Sequence, residues 1–158
     1  MIKLAPMSAE TFPEFRRQSI ENFAHVTALE RGWPLEIGRI HAENMIDSIA
    51  QNGLETPGFH FCHVVEELGD EHVGYLVFAV TGEDIRRGAF VYDLYIFPQH
   101  QRRGYGEGAL RALEPIAREE GAHTVGLNVF ANNDPARALY DKLGFLTVSL
   151  AMRKGLDA

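Results

Sequence analysis

Apolar positions along this chain recur first at helical spacing and later in strand-like runs. From Ser8 onward, Phe12, Phe15, Ser19, Ile20 and Phe23 fall near one helical stripe. Ser8 suits the cap of that first helix, with Met7 and Phe12 as a hydrophobic staple. Gly32-Trp33-Pro34 interrupts the stripe; Pro34 suits the opening of a second helix, which Gly53 closes. After the turn Thr56-Pro57-Gly58, residues 59–65, 72–80 and 89–97 read as strands, joined by polar stretches that suit hairpins.

Alternation follows. Residues 106–120 read as a helix ended by Gly121, residues 124–130 as a strand, residues 135–143 as a helix ended by Gly144, and residues 145–152 as a last strand. Two helices, an antiparallel meander and then strand–helix–strand–helix–strand predict an α/β fold. Its single mixed, mostly antiparallel sheet has about six to seven strands flanked by helices. With no internal repeat or long linker, the reading is one domain over residues 1–158.

Composition narrows the function classes. The opening MIKLAPMSAETF holds no apolar signal stretch, and no run approaches the ~18 apolar residues of a membrane span, so neither secretion nor a membrane role is expected. Cys62 is the only cysteine; an internal disulfide is impossible, and the cytoplasm is the expected compartment. Within FHFCHVV it reads as a buried structural thiol, since a nucleophile needs an activating partner. His60 and His63 flank it, but a strand sends them to opposite faces, and the seven histidines show no metal-ligand spacing; no metal is expected. A formal charge of −7 argues against sequence-independent nucleic-acid binding and suits a cationic or amine substrate.

The strand GAFVYDLYIF ends at Pro98 and leads into QHQRRGYGEGAL. Gly104, Gly106 and Gly108 lie where strand gives way to helix. Backbone N–H groups at a helix start are unsatisfied and partly positive, glycine lets phosphate approach them, and Arg102 and Arg103 add charged donors. A P-loop would need a GK[ST] ending, and a dinucleotide fingerprint would need G-x-G-x-x-G early in a parallel unit; this stretch has neither. A glycine-rich turn with two solvated arginines is the bland alternative.

The segment QRRGYG is similar to the [RQ]-x-x-G-x-[GA] signature of the GNAT N-acetyltransferase superfamily. NNDPARALYDKLGF resembles that family's second segment, N-x-x-A-x-x-L-Y-x-x-x-G-F, in the matching order and separation. The resemblance covers roughly residues 59–152 and implies a GNAT-like acyl-CoA N-acyltransferase fold. It implies acetyl-CoA as co-substrate and an amine acceptor: a small molecule, a peptide or a protein N-terminus. Members often dimerise, so a homodimer is a partner the family allows. An acyl-CoA-binding sensor or partner module without catalysis is the alternative from another class.

By the same resemblance, backbone at Leu94, Tyr95 and Ile96 meets the pantetheine arm, Ile96 most securely. Residues Arg102, Arg103, Gly104, Tyr105, Gly106 and Glu107 meet the pyrophosphate. Asn133 matches an asparagine that bonds the pantetheine region, beside its plain use as a helix cap. Tyr140 matches a tyrosine near the CoA sulfur, and a phenol of pKa ~10 is protonated at neutral pH and able to donate to a departing thiolate; a core tyrosine beside Leu139 and Leu143 is the alternative. The base departs from well-studied members. Asn128 stands where several carry glutamate, and it cannot accept a proton. Asp93 is then the acid on the strand before the loop, although simple alternation puts it on the sheet face opposite Tyr92 and Leu94. Glu66, Glu67 or a water chain are the remaining routes. Trp33 suits either the core or a wall of the acceptor site.

Overall fold

A computed structural model describes residues 1–157 and divides the chain into two compact units, one of residues 1–128 and a shorter one from Val129 onward. The larger unit holds β1 (Ile2–Pro6), α1 (Phe12–Arg31), α2 (Leu35–Ile49), β2 (Phe59–Glu66), β3 (Glu71–Thr81), β4 (Gly88–Ile96), α3 (Tyr105–Glu119) and β5 (Val125–Leu127). The strands form one sheet in the order β1-β2-β3-β4-β5. All neighbours are antiparallel except β4 and β5, which run parallel.

The sheet has five strands among the described residues, fewer than the six to seven expected. Two departures from the expected elements offset one another. β1 carries Lys3 and ends at Pro6, so its sequence hides a strand that pairs with β2 from Ile2↔Glu66 to Pro6↔Cys62. Conversely, residues 145–152 take no regular secondary structure, and Leu146, Val148 and Leu150 are exposed. Alternating hydrophobicity signals a strand face, but a strand also needs a neighbour for its N–H and C=O groups, and the pattern supplies none.

Other boundaries shift by a few residues. α1 begins at Phe12 with Thr11 as its N-cap, while the Ser8 carbonyl accepts the N–H groups of Thr11 and Phe12 one turn earlier. α2 stops at Ile49, well short of Gly53, which opens a separate turn of 3-10 helix. Gly32, in the left-handed region with φ 67°, ends α1 and lets α2 return along it. Gly38 is required at the crossing: a Cβ there would lie 2.6 Å from the Ala24 carbonyl oxygen.

Opposite sheet faces carry different cores. On one, Phe15 of α1 meets Phe61 and Tyr75 edge-on, with ring centroids 6.0 and 5.1 Å apart, and Met7 and Val77 complete the cluster. On the other, α3 packs against β1, β3 and β4 through an amphipathic face that buries Ala109, Leu110, Leu113 and Ala117. The shorter unit contains α4 (Asp134–Lys142), opened by Asn133, whose Oδ1 accepts the Ala136 N–H at 3.3 Å.

Candidate active site

β4 positions both halves of the site in the larger unit. It pairs with β5 only over Ala89↔Val125, Phe90↔Gly126 and Val91↔Leu127. Beyond Val91 its outer edge has no strand partner among the described residues. The Phe97 N–H donates to the Val73 carbonyl of β3, so by strand alternation the backbone of Tyr95 also faces β3. The N–H and C=O groups of Leu94 and Ile96 therefore face the open edge. Gln101 Nε2 donates to the Ile96 carbonyl at 2.9 Å, which ties the strand end to the loop that follows. Of the three residues expected to offer backbone to an extended ligand, Leu94 and Ile96 have the required direction. Tyr95 does not; its ring instead joins Tyr75 and Phe97.

The loop departs from extended backbone at two alternate positions: Arg102 has φ 62° and Gly104 has φ 81°. Left-handed Gly104 followed by right-handed Tyr105 turns successive N–H groups to one side, the backbone arrangement of an anion nest. The first α-helical hydrogen bond of α3 is Gly108 N–H to Gly104 O, at 3.0 Å. The earlier N–H groups of Tyr105 and Gly106 consequently have no carbonyl a turn behind them. Gly104 has open space around its missing Cβ, and Arg102 and Arg103 are exposed with no ion-pair partner among the described residues. Donors, helix dipole and uncommitted guanidiniums together fit a pyrophosphate. Gly108 serves packing instead, since a Cβ there would lie 2.8 Å from Ile2 Cγ1.

The acid lies on the same strand. Ladder pairs run Phe78↔Val91 and then Val77↔Asp93, so Tyr92 has no partner on β3. This bulge corrects the alternation expected from sequence. An extra residue changes the parity of the strand, and Tyr92 and Asp93 both face α1. The Tyr92 ring lies 5.2 Å from Phe59 and 4.9 Å from Phe90, while Asp93 Oδ2 accepts a 2.6 Å hydrogen bond from Ser19 Oγ. Ser19 is fully buried in α1. Burial pushes the Asp93 carboxyl up to about 7, against the smaller opposing effect of the Ser19 hydroxyl. Ser19 marked only a helical stripe in the sequence; its contact with Asp93 spans 74 residues, and no local signal announces it.

The remaining candidates are engaged elsewhere. Glu66 accepts N–H groups from Leu68 and Gly69 in the β2–β3 turn, and the Glu67 N–H donates to the Met1 carbonyl. His60 stacks on Phe78 with Nε2 2.6 Å from Glu120, whereas His63 bonds Thr11 and stacks on His72, on the other sheet face. Burial pushes the Cys62 thiol up to about 11, leaving it protonated and inert. Trp33 lies between Arg31 and His41 at the turn joining α1 and α2. Within the shorter unit, Asn133 caps α4, and burial raises the Tyr140 phenol above its ordinary pKa, its ring 5.5 Å from Phe145.

Residues 24–145 match the family model described as Acetyltransferase (GNAT) family. The chain is 30% identical over 156 residues to the uncharacterized N-acetyltransferase YycN of Bacillus subtilis, covering 98% of this chain and 99% of YycN. The crystal structure of YycN superposes with a TM-score of 0.91 over the full length of both chains. A second B. subtilis relative, the uncharacterized N-acetyltransferase YdgE, is 29% identical over 153 residues, 97% of each chain. AAC(6')-Iy, solved with a bisubstrate analogue of CoA and acetylneamine, shares the fold at a TM-score of 0.63 and 12% identity, covering 100% of this chain and 99% of its own. On the family match and the full-length likeness to YycN, the chain belongs to the GNAT family of acetyltransferases.

Proposed function

We propose that this protein transfers acetyl from acetyl-CoA directly to a primary amine within a ternary complex. The observation that carries this reading is the arrangement along β4: an anion nest at its end, an open backbone edge at Leu94 and Ile96, and a half-buried carboxyl at Asp93 on the neighbouring sheet face. Acetyl-CoA supplies an activated thioester when bound. The loop residues Arg102, Arg103, Gly104, Tyr105, Gly106 and Glu107 hold its pyrophosphate, and the open strand edge holds the pantetheine amides. Asn133 is assigned to the same arm by its family motif.

An alkylammonium of pKa ~10.4 must lose a proton before it attacks. Asp93, as carboxylate, takes that N–H proton and becomes the neutral acid. The freed nitrogen lone pair forms the new C–N bond, and the C–S bond breaks. Tyr140, assigned by its family motif, gives its phenolic proton to the departing sulfur, and the second N–H proton, lost by the acylated nitrogen, restores the phenol. Burial keeps that phenol protonated at neutral pH. Phe59, Phe90 and Tyr92 form an aromatic cluster on the same sheet face as Asp93, a surface that favours an ammonium through cation–π attraction.

Free CoA release over a panel of amines tests the reading, with purified protein and acetyl-CoA. Turnover of at least one amine, lowered about 100-fold or more in Tyr140→Phe, is the expected result. Tight CoA binding with no turnover on any amine would instead favour an acyl-CoA sensor, the role that Asn128 in place of a common glutamate suggests.

A further inference from the structure

We infer that Ser19 is a positioning residue for the base: its hydroxyl fixes the Asp93 carboxylate and thereby links helix α1 to the proton-transfer step. This inference rests on Asp93 serving as the base in the proposed reaction. The bulge at Tyr92 turns Asp93 toward α1, and the 2.6 Å bond from Ser19 Oγ engages Oδ2. Oδ1 remains for the incoming ammonium. Ser19 has no exposed surface, so water cannot replace its hydroxyl without a rearrangement of the helix. Phe15, one turn earlier on α1, is clamped by Phe61 and Tyr75 and fixes the height of Ser19 over the sheet.

The titratable groups facing this region are Tyr75 on β3, Tyr95 on β4 and, from the start of α1, Glu14, which is paired with Arg17. No cation stabilises the Asp93 carboxylate, and Ser19 alone favours its charged form against burial. α1 supplies no part of the phosphate nest. A hydroxyl on α1 that holds the base gives this helix a direct influence on the acceptor half of the reaction. Displacement of α1 by an acceptor, or by a substitution, would therefore alter the base without touching donor binding.

The test compares Ser19→Ala, Ser19→Cys and Ser19→Thr in the full chain by two measurements. The first is the pH profile of kcat/KM with the best amine of the panel. The second is the titration of the Asp93 carboxyl by carbon-13 NMR, which needs no turnover. A hydroxyl bond to a carboxylate favours the charged form, so its loss raises the carboxyl midpoint. Ser19→Ala is expected to move both the rate profile and the carboxyl midpoint upward by about one pH unit, lowering the rate about tenfold on the acid side and little on the alkaline plateau. Ser19→Cys keeps the volume with a weak donor and should behave like alanine, while Ser19→Thr should restore the profile. A carboxyl midpoint unmoved in both Ala and Cys variants overturns the positioning role. A moved midpoint with an unmoved rate profile overturns the assignment of Asp93 as base. Equal loss of rate at every pH reduces Ser19 to a packing residue.

Discussion

The two regions along β4 proposed to bind the donor and to take the acceptor's proton meet opposite physical demands within a few residues of one another. At the strand end, the segment from Gln101 to Gly104 is exposed, rich in glycine and arginine, and leads into a helix start whose Tyr105 and Gly106 N–H groups have no carbonyl a turn behind them. Beside the bulge, Asp93 is held by Ser19 and kept from easy ionisation by desolvation. An anion site works by offering fixed donors and positive charge to a ligand that brings its own negative charge. A base works by being slightly unstable in its charged form, so that it accepts a proton near neutral pH. The first requires local backbone geometry; the second requires contacts between distant segments.

The most forceful way to break this contrast is Asp93→Asn. It should lower kcat/KM by about 100- to 10,000-fold, the range of a general base, while leaving the affinity for CoA within about twofold. Steady-state kinetics joined to calorimetric titration of CoA separate the two effects. Comparable loss of CoA affinity would mean that the two regions are not independent.

The converse change is Arg102→Ala with Arg103→Ala. Each charged hydrogen bond to phosphate is worth ~1.5–3 kcal/mol, less where solvent screens it, so the pair should weaken CoA about 10- to 100-fold. The loss should shrink with added salt, and the pH dependence of the rate should keep its midpoint. Unchanged CoA affinity would remove the pyrophosphate from this loop.

A smaller effect sharpens the base side without any substrate. The folded-state pKa of Asp93 is raised above its unfolded value near 3.9, so between about pH 4 and about pH 7 the folded protein binds more protons than the unfolded chain. Stability contributed by the protonated carboxyl is therefore lost as pH rises through that window, at no more than about 1.4 kcal/mol per pH unit. Relative to the parent, Asp93→Asn should become progressively more stable from pH 5 to pH 8. Denaturant unfolding at several pH values measures this difference, and a flat one would show that Asp93 is not desolvated.

The same contrast explains what the sequence disclosed. The loop was legible because its chemistry is contiguous: QRRGYG carries glycines, arginines and the helix start in one stretch. The meander was legible for a related reason, as its hairpins join neighbouring strands. Asp93 does lie opposite Leu94, but its face relative to Tyr92 was misread because one skipped ladder position, at Tyr92, cannot be heard in the alternation of GAFVYDLYIF. Ser19 looked like another position on a helical stripe, since only the folded chain brings it to Asp93. β1 escaped notice because Lys3 and Pro6 spoil the pattern that its pairing with β2 nevertheless satisfies.

The unpaired Tyr92 also has a consequence for how such a site changes over generations. A carboxylate is usually gained or lost by replacing one residue with another. Here removal of the Tyr92 codon would leave Phe78↔Val91 and Val77↔Asp93 as consecutive pairs of a regular ladder, with Asp93 still on the α1 side. What decides the direction of the acid is the register: were Tyr92 drawn into the ladder opposite Val77, Asp93 and each residue after it would turn to the other face. A substitution that only shifts this register is thus a route to discarding a base without touching Asp93.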